Sequence, residues 1–97
     1  MQLHIGDNRS IPFERMLFVL NARGMTDVTR AYVERAKKAR RLRKCRGAPK
    51  SYVVVNERGR EVIYESLLAS ATLKKRMTEE MQRKFLFEEA VFTVTEA

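Results

Sequence analysis

The sequence predicts a small α+β domain, in which two helices accompany a small antiparallel or mixed sheet of about five short strands. Short segments rich in β-branched and aromatic residues alternate with turn signals, which is typical of antiparallel strands. Two other segments repeat apolar residues at helical spacing. The length of 97 residues is enough for one domain and too small for two, so residues 1–97 are expected to form a single domain.

The first 20 residues predict three strands. Residues 2–5 alternate polar and apolar side chains, and the turn formers at 6–8 would return the chain as a second strand at 9–11. Pro12 interrupts regular pairing and predicts a bend or bulge before the next strand. That strand, at 16–20, is apolar on both faces, so we expect it to be the central strand of the sheet.

The first helix is expected after a turn at 21–24. Thr26 or Asp27 suits its N-cap, because a short side-chain oxygen can accept a hydrogen bond from the first helical turn. Apolar residues that recur at helical spacing define the face expected to pack, and these are Val28, Ala31, Tyr32, Ala36 and Ala39. Charged residues occupy another face at i, i+4 spacing, so the helix should bury one side and expose the other.

The second half of the chain predicts a hairpin and a second helix. Residues 52–55 and 61–64 are β-rich and flank Asn56-Glu57-Arg58-Gly59, the clearest hairpin signal in the sequence. Either Ser66 or Ser70 can cap the helix that follows.

An apolar stripe runs along this second helix, because Leu73, Met77, Met81 and Phe85 recur at every fourth residue. Stripes that contain methionine usually fill a core or a subunit interface. Residues 86–97 are interpreted as a C-terminal tail of unassigned role.

The strongest signal in the sequence is the basic stretch at 37–50, in which eight of fourteen residues are Lys or Arg and none is acidic. Residues 21–50 carry eleven basic and two acidic side chains, so they hold the whole excess of the formal net charge of +8. A positive field this concentrated attracts polyanions, of which nucleic acid is the commonest in a cell. The predicted DNA-binding residues in the stretch are Lys37, Lys38, Arg40, Arg41, Arg43, Lys44, Arg46 and Lys50.

A structural interpretation of the same stretch is also open. Residues 41–46 have a period of two with only Leu42 and Cys45 apolar, which predicts an exposed edge strand. Basic side chains on an edge strand discourage edge-to-edge aggregation. The stretch could therefore be a solvated surface without a ligand.

The residue types needed for catalysis are scarce. His4 is the only histidine and Cys45 the only cysteine, and a nucleophilic pair or a metal site needs further ligands or an orienting group. The four glycines form neither a Walker loop nor a dinucleotide fingerprint. We therefore expect no enzymatic activity, no small-molecule substrate, no cofactor and no bound metal.

Partners and location are predicted from the same composition. The longest apolar run has five residues, whereas a membrane span needs about 20, so no membrane span is expected. A single cysteine fits a reducing cytosol. The sequence thus indicates a cytoplasmic protein associated with the nucleoid.

Three segments of the chain are familiar in combination. LHIGDNRSIPFERMLFVLN, GAPKSYVVV and YESLLASATLKKR occur in that order, and they resemble the RemA and RemB family of extracellular-matrix regulatory proteins of Gram-positive bacteria, the RemB branch most closely. The resemblance covers residues 1–85. It implies an αβ domain that assembles into closed rings, and the RemA branch binds DNA along its ring and activates genes of the biofilm matrix.

The resemblance also implies particular DNA contacts. In the RemA branch these contacts depend on an arginine before the first long strand and on an arginine pair in the loop between the third and fourth strands. Arg15 matches the first of these positions. That loop reads Gly47-Ala48-Pro49-Lys50 in this chain. The pair is therefore absent, although Arg46 directly precedes the loop and Lys50 is its last residue.

The function expected from residues and resemblance together is transcriptional control of matrix genes by a ring-like homo-oligomer. The ring would bind double-stranded DNA mainly through phosphate contacts of the basic stretch and Arg15. The alternative is an oligomeric interaction or scaffold protein that binds a protein partner, RNA or an acidic surface. Charge alone does not separate RNA from DNA.

Overall fold

The computed structural model of the chain describes residues 2–79, which contain six strands and two helices. The strands are β1 (Gln2–Gly6), β2 (Arg9–Pro12), β3 (Met16–Asn21), β4 (Leu42–Arg43), β5 (Ser51–Glu57) and β6 (Arg60–Ser66). Helix α1 spans Asp27–Lys38, and residues 70–79 are helical and are called α2. The predicted α+β class is confirmed.

The strands form two sheets rather than the single predicted sheet. The β1–β2 hairpin stands alone, and the second sheet has the order β3-β5-β6-β4. After Pro12 the chain passes through a 3-10 turn at Phe13–Arg15, as the predicted bend requires. The hairpin can therefore fold over a face of the larger sheet instead of extending its edge.

Alternation along β5 divides the core into two clusters. Val53 and Val55 belong to a cluster with β1, β2 and the α2 residue Leu73. Val54 belongs to a second cluster, with residues of α1. Because neighbouring residues of a strand point to opposite faces, the β1–β2 hairpin and α2 cover one face of the larger sheet and α1 covers the other.

The prediction that residues 16–20 form the central strand is wrong, because β3 lies at an edge of the larger sheet. The buried hairpin of β5 and β6 occupies the middle, with Val53, Val54 and Val55 at most 1% exposed. Leu17 and Phe18 of β3 remain 48% and 43% exposed. A continuous apolar run indicates that both faces of a strand favour apolar neighbours. It does not indicate whether those neighbours belong to the same chain.

Helix α1 confirms the predicted cap and corrects the predicted face. The N–H of Thr29 donates to Oγ1 of Thr26, the N-cap, at 3.2 Å. The buried residues are Val33 and Ala36, whereas Val28 is 79% exposed. The helix packs on β4 and β6 through these second-half residues, so its first turn makes little contact with the sheet.

Helix α2 begins at residue 70, and the N–H of Leu73 donates to the carbonyl of Ala69 at 3.1 Å. The predicted serine caps are therefore wrong, because Ala69 precedes the first helical residue. Ser66 instead lies in β6, where its hydroxyl donates to the carbonyl of Ile5 and joins the two sheets.

The described part of the α2 stripe packs in the core. Leu73 is fully buried and Met77 packs against the same cluster. Met81, Phe85 and the predicted tail at 86–97 lie outside the described residues. No helix within residues 2–79 is both long and apolar enough to cross a membrane.

Candidate nucleic-acid interface

Several strands meet at one end of the larger sheet. Strand β3 runs antiparallel to β5 with Met16 opposite Val55, so β3 begins where β5 ends. Strand β6 begins directly after the tight β5–β6 turn. Strand β4 is parallel to β6, with Leu42 beside Ile63, so its start faces the same end. Residues that precede these starts are thereby brought together although they are distant in sequence.

A cleft of about 510 Å³ opens at this end of the sheet. We call it the arginine cleft, and it is lined by Arg15, Arg40, Arg41, Arg43, Glu57, Arg58, Arg60 and Val62. The lining contains six arginines and a single carboxylate. That carboxylate, of Glu57, accepts a hydrogen bond from the hydroxyl of Tyr64. The cleft is therefore strongly positive.

The positive charge of the cleft is not offset by ion pairs among residues 2–79. The two ion pairs found in that part of the chain join Arg30 to Asp27 and Arg46 to Asp7, and none of these four residues lines the cleft. Unpaired guanidiniums that share a concave surface attract an anion that can accept several of their N–H groups.

Backbone carbonyls hold two of the cleft guanidiniums in place. Arg41 donates through Nη1 to the carbonyl of Glu61 at 2.8 Å, and Arg43 donates through Nη1 to the carbonyl of Arg40 at 2.9 Å. Each arginine has five N–H donors, so both keep further donors for a ligand. Fixing a side chain before binding reduces the conformational entropy lost when the ligand arrives.

Arg40 occupies a position that favours glycine. It follows the C-cap Ala39 of α1 and has a φ of 59°. The N–H of Arg40 donates to the carbonyl of Lys37 at 3.1 Å, and that of Arg41 donates to the carbonyl of Ala36 at 2.8 Å. This pattern is a Schellman motif, whose left-handed residue is usually glycine because a Cβ is strained there.

Arg58 stands in a similar position within the β5–β6 turn. Arg58 and Gly59, with φ values of 54° and 82°, form the two-residue loop between the paired residues Glu57 and Arg60. A loop with two positive φ values is a type I′ turn, for which Asn-Gly is the favoured sequence. A bulky residue in this conformation costs on the order of 1 kcal/mol.

Two arginines of the same cleft thus occupy strained backbone positions. Local stability would favour glycine at 40 and asparagine at 58. Violations of local sequence preference are expected where a side chain has a function. The cleft is the feature that Arg40 and Arg58 have in common.

The predicted DNA-binding residues divide into two groups. Four of the nine line the arginine cleft, namely Arg15, Arg40, Arg41 and Arg43. The other five lie outside it, with Lys37 and Lys38 exposed at the end of α1 and Lys44, Arg46 and Lys50 in the segment between β4 and β5. Arg46 makes its ion pair with Asp7 at 3.2 Å. The predicted edge strand at 41–46 does lie at the edge of the larger sheet. It is shorter than predicted, because it contains only Leu42–Arg43.

Sequence reasoning missed Arg58 and Arg60, which line the cleft from the β5–β6 hairpin. A signal for Arg58 was present, because an Arg-Gly pair stands where a two-residue hairpin favours Asn-Gly. Arg60 has no comparable signal. Its role depends on the parallel pairing of β4 with β6, which brings the hairpin beside the basic stretch.

His4 and Cys45 both lie outside the set of residues that line the arginine cleft. His4 is exposed on β1. The thiol of Cys45 donates to the carbonyl of Gly47 at 3.3 Å, and partial burial, with a contribution from Glu65, raises its pKa. A thiol with a raised pKa is protonated at neutral pH and is a weak nucleophile.

Tyr32 links α1 to β6 close to the cleft, because its hydroxyl donates to the carboxylate of Glu61. Partial burial, the hydrogen bond and the charge of Glu61 raise the pKa of Tyr32 to about 12 from 10.0. Below pH 10 the folded and unfolded chains both carry a neutral Tyr32. Between pH 10 and about 12 the unfolded chain ionises first, so the free energy of unfolding should fall as the pH rises.

A Tyr32→Phe variant should therefore lose less stability over that pH interval than the parent chain. At neutral pH the variant should be less stable by about 1 kcal/mol, because the hydrogen bond to Glu61 is absent. Denaturant unfolding at neutral pH and near pH 12 measures both effects. Equal alkaline losses in the two proteins would contradict the assignment to Tyr32.

Comparison with known proteins finds no family model and no curated protein that matches the chain. The function is therefore argued from the residues and from the geometry of the cleft.

Proposed function

We propose that the chain is a non-enzymatic regulator that binds double-stranded DNA through phosphate contacts in the arginine cleft. One observation carries the proposal. Arg40 and Arg58 both have the left-handed backbone conformation, and they line one cleft with four further arginines. Structural needs alone favour smaller residues at both positions. Phosphate oxygens are natural ligands for guanidinium groups, which can bind them bidentately.

The cleft also suggests how the chain could retain a RemA-like DNA contact without the arginine pair of the 47–50 loop. Arg15, the residue that matches the family position, lines the cleft together with Arg58 and Arg60. We propose that these hairpin arginines take the place of the missing pair. The regulator would then act on DNA in the cytoplasm, with genes of the extracellular matrix as its expected targets.

Self-association into a ring-like homo-oligomer is part of the same proposal. Strand β3 pairs with β5 on one side, and no strand within residues 2–79 pairs with its other side. Leu17 and Phe18 on β3 are 48% and 43% exposed, and Val28, which lines a shallow cavity together with Phe18, is 79% exposed. An open strand edge beside apolar side chains can pair with another chain. We propose that a second copy of the chain covers this surface, which we call the β3 edge.

Oligomerisation matters for DNA affinity. One chain offers a single cleft with room for few phosphates, so one copy should bind duplex DNA weakly. Copies linked in one particle bind the same duplex at a high effective concentration, which can raise the overall affinity by about 10² to 10⁴. Phosphate contacts carry no direct sequence information, so specificity would come from DNA shape and bending.

The proposal is tested by binding of a labelled random-sequence duplex over a salt series, with sedimentation of the same sample. We expect a particle several times heavier than the 11.3 kDa chain. Its affinity should fall by about 10³ or more between 50 and 200 mM salt if it makes six or more phosphate contacts. Absence of binding at low salt would contradict the proposal.

An interaction protein is the second candidate function, and the exposed apolar residues of the β3 edge favour it. In that case the chain would still form an oligomer, but the oligomer would not bind a duplex at low salt. Charge alone attracts both DNA and RNA. The same titration with a matched RNA duplex therefore compares the affinities for the two nucleic acids.

An Arg58→Asn variant should separate the structural role of the position from its role in binding. Asparagine suits the first residue of a type I′ turn, so the free energy of unfolding should rise by about 0.5–1 kcal/mol. Affinity for duplex DNA should fall, because the cleft loses one guanidinium. Denaturant unfolding and duplex titration measure the two effects.

The control variant is Arg23→Asn, which lies in an exposed turn outside the cleft. It removes the same charge and should leave binding almost unchanged. A stable Arg58→Asn variant with full affinity would remove Arg58 from the interface.

A further inference from the structure

The arginine cleft has the size of a small-ligand site. Its volume of about 510 Å³ lies within the range of roughly 300–1,000 Å³ that such sites occupy. The lining arginines also come from separate parts of the chain, which are the turn before β3, the segment from α1 into β4, and the β5–β6 hairpin. An occupant would therefore meet guanidiniums from several directions.

The charge of the cleft favours an anion with several linked phosphates. The cleft is lined by six arginines and one carboxylate. That carboxylate already accepts a hydrogen bond from the hydroxyl of Tyr64. A single phosphate group carries about two negative charges at neutral pH. A chain of three phosphates carries more charge and more acceptor oxygens within the same small volume. Arginine binds such oxygens bidentately, so a polyphosphate can use donors that a single phosphate leaves unpaired.

The cleft is also prepared for such an anion before it binds. Backbone carbonyls hold the guanidiniums of Arg41 and Arg43, and the helix end and the hairpin turn fix the backbone of Arg40 and Arg58. All of these residues belong to one chain. Binding of a compact anion therefore does not require a second copy.

We propose that the arginine cleft of each chain binds a compact polyphosphate and that the bound anion excludes duplex DNA. The ligand chemistry is a run of linked phosphates, as in inorganic tripolyphosphate or the triphosphate of a nucleotide. Only the competition with DNA rests on the proposed function. A rise in the concentration of such an anion would release the regulator from DNA.

Calorimetric titration of the full chain with inorganic tripolyphosphate, orthophosphate and sulfate at constant ionic strength tests the site. Tripolyphosphate should bind once per chain and at least about tenfold more tightly than the other two anions. A triple variant, Arg15→Gln, Arg58→Gln and Arg60→Gln, should weaken that binding at least tenfold. The control variant, Arg23→Gln, Lys74→Gln and Lys75→Gln, loses the same charge at exposed residues outside the cleft and should stay within about twofold. Equal binding of all three anions, or equal losses in both variants, would overturn the proposal.

Competition against a labelled duplex tests the regulatory part. Tripolyphosphate should raise the apparent Kd of the duplex in proportion to its concentration, whereas sodium sulfate at matched ionic strength should produce only screening. Equal competition by ATP and tripolyphosphate would identify the phosphate chain as the ligand. Tighter binding of ATP would indicate an additional contact to the nucleoside. Tripolyphosphate binding without duplex binding would refute the proposed function and keep the site. Duplex binding without tripolyphosphate binding would refute the site and keep the proposed function.

Discussion

Replacing Arg15, Arg58 and Arg60 together by glutamine should lower the affinity for duplex DNA by at least about 100-fold. The reason is that each charge-assisted contact to phosphate contributes about 1.5–3 kcal/mol when both groups are well oriented. These three arginines make no side-chain hydrogen bond with another residue among 2–79, so the fold should tolerate the change. The slope of log affinity against log salt should fall by up to about one for each phosphate that the variant no longer neutralises.

Two matched variants make this result interpretable. Lys37→Gln, Lys38→Gln and Lys50→Gln remove three charges from the predicted basic stretch outside the cleft, and they should cost less affinity than the cleft variant. The distant variant at Arg23, Lys74 and Lys75 should cost least. Equal losses in all three proteins would mean that net charge alone binds DNA, which would contradict the arginine cleft as the interface.

Turn and cap residues act at short range, so the sequence predicted several local elements, although the serine caps predicted for α2 are wrong. Thr26 caps α1 as expected, and the predicted β5–β6 hairpin forms, although its loop contains only Arg58 and Gly59. The place of β3 in the sheet could not be predicted in the same way. It depends on which strands flank the buried residues of β5, and that is a property of the tertiary fold.

The candidate site was predicted in part for a similar reason. Concentrated charge at 37–50 indicated the basic surface, and Arg40, Arg41 and Arg43 do line the cleft. Arg58 and Arg60 lie further along the chain, in a segment whose overall charge is balanced. They join the site only because β4 pairs in parallel with β6. Parallel pairing joins residues that are far apart in the chain and leaves no short-range signal.

A Leu17→Glu variant should convert the proposed oligomer into monomers of 11.3 kDa. Leu17 is 48% exposed on the open β3 edge, so a carboxylate there should be tolerated in one chain but buried without a partner in an assembly. Sedimentation equilibrium measures the mass. Thr72→Glu adds the same charge at an exposed position of α2 and should leave the mass unchanged. An intact oligomer in the Leu17→Glu variant would place the contact elsewhere.

The same variant separates the two ligands of the cleft. Monomers lose the gain from linked sites, so duplex affinity should fall by about 10² or more. The cleft is built from one chain, so tripolyphosphate should bind the Leu17→Glu monomer as tightly as it binds the parent protein. Circular dichroism checks that the monomer is folded. Loss of both ligands in a folded monomer would mean that the cleft needs a neighbouring copy, and retention of both would mean that a single cleft is sufficient to hold the duplex.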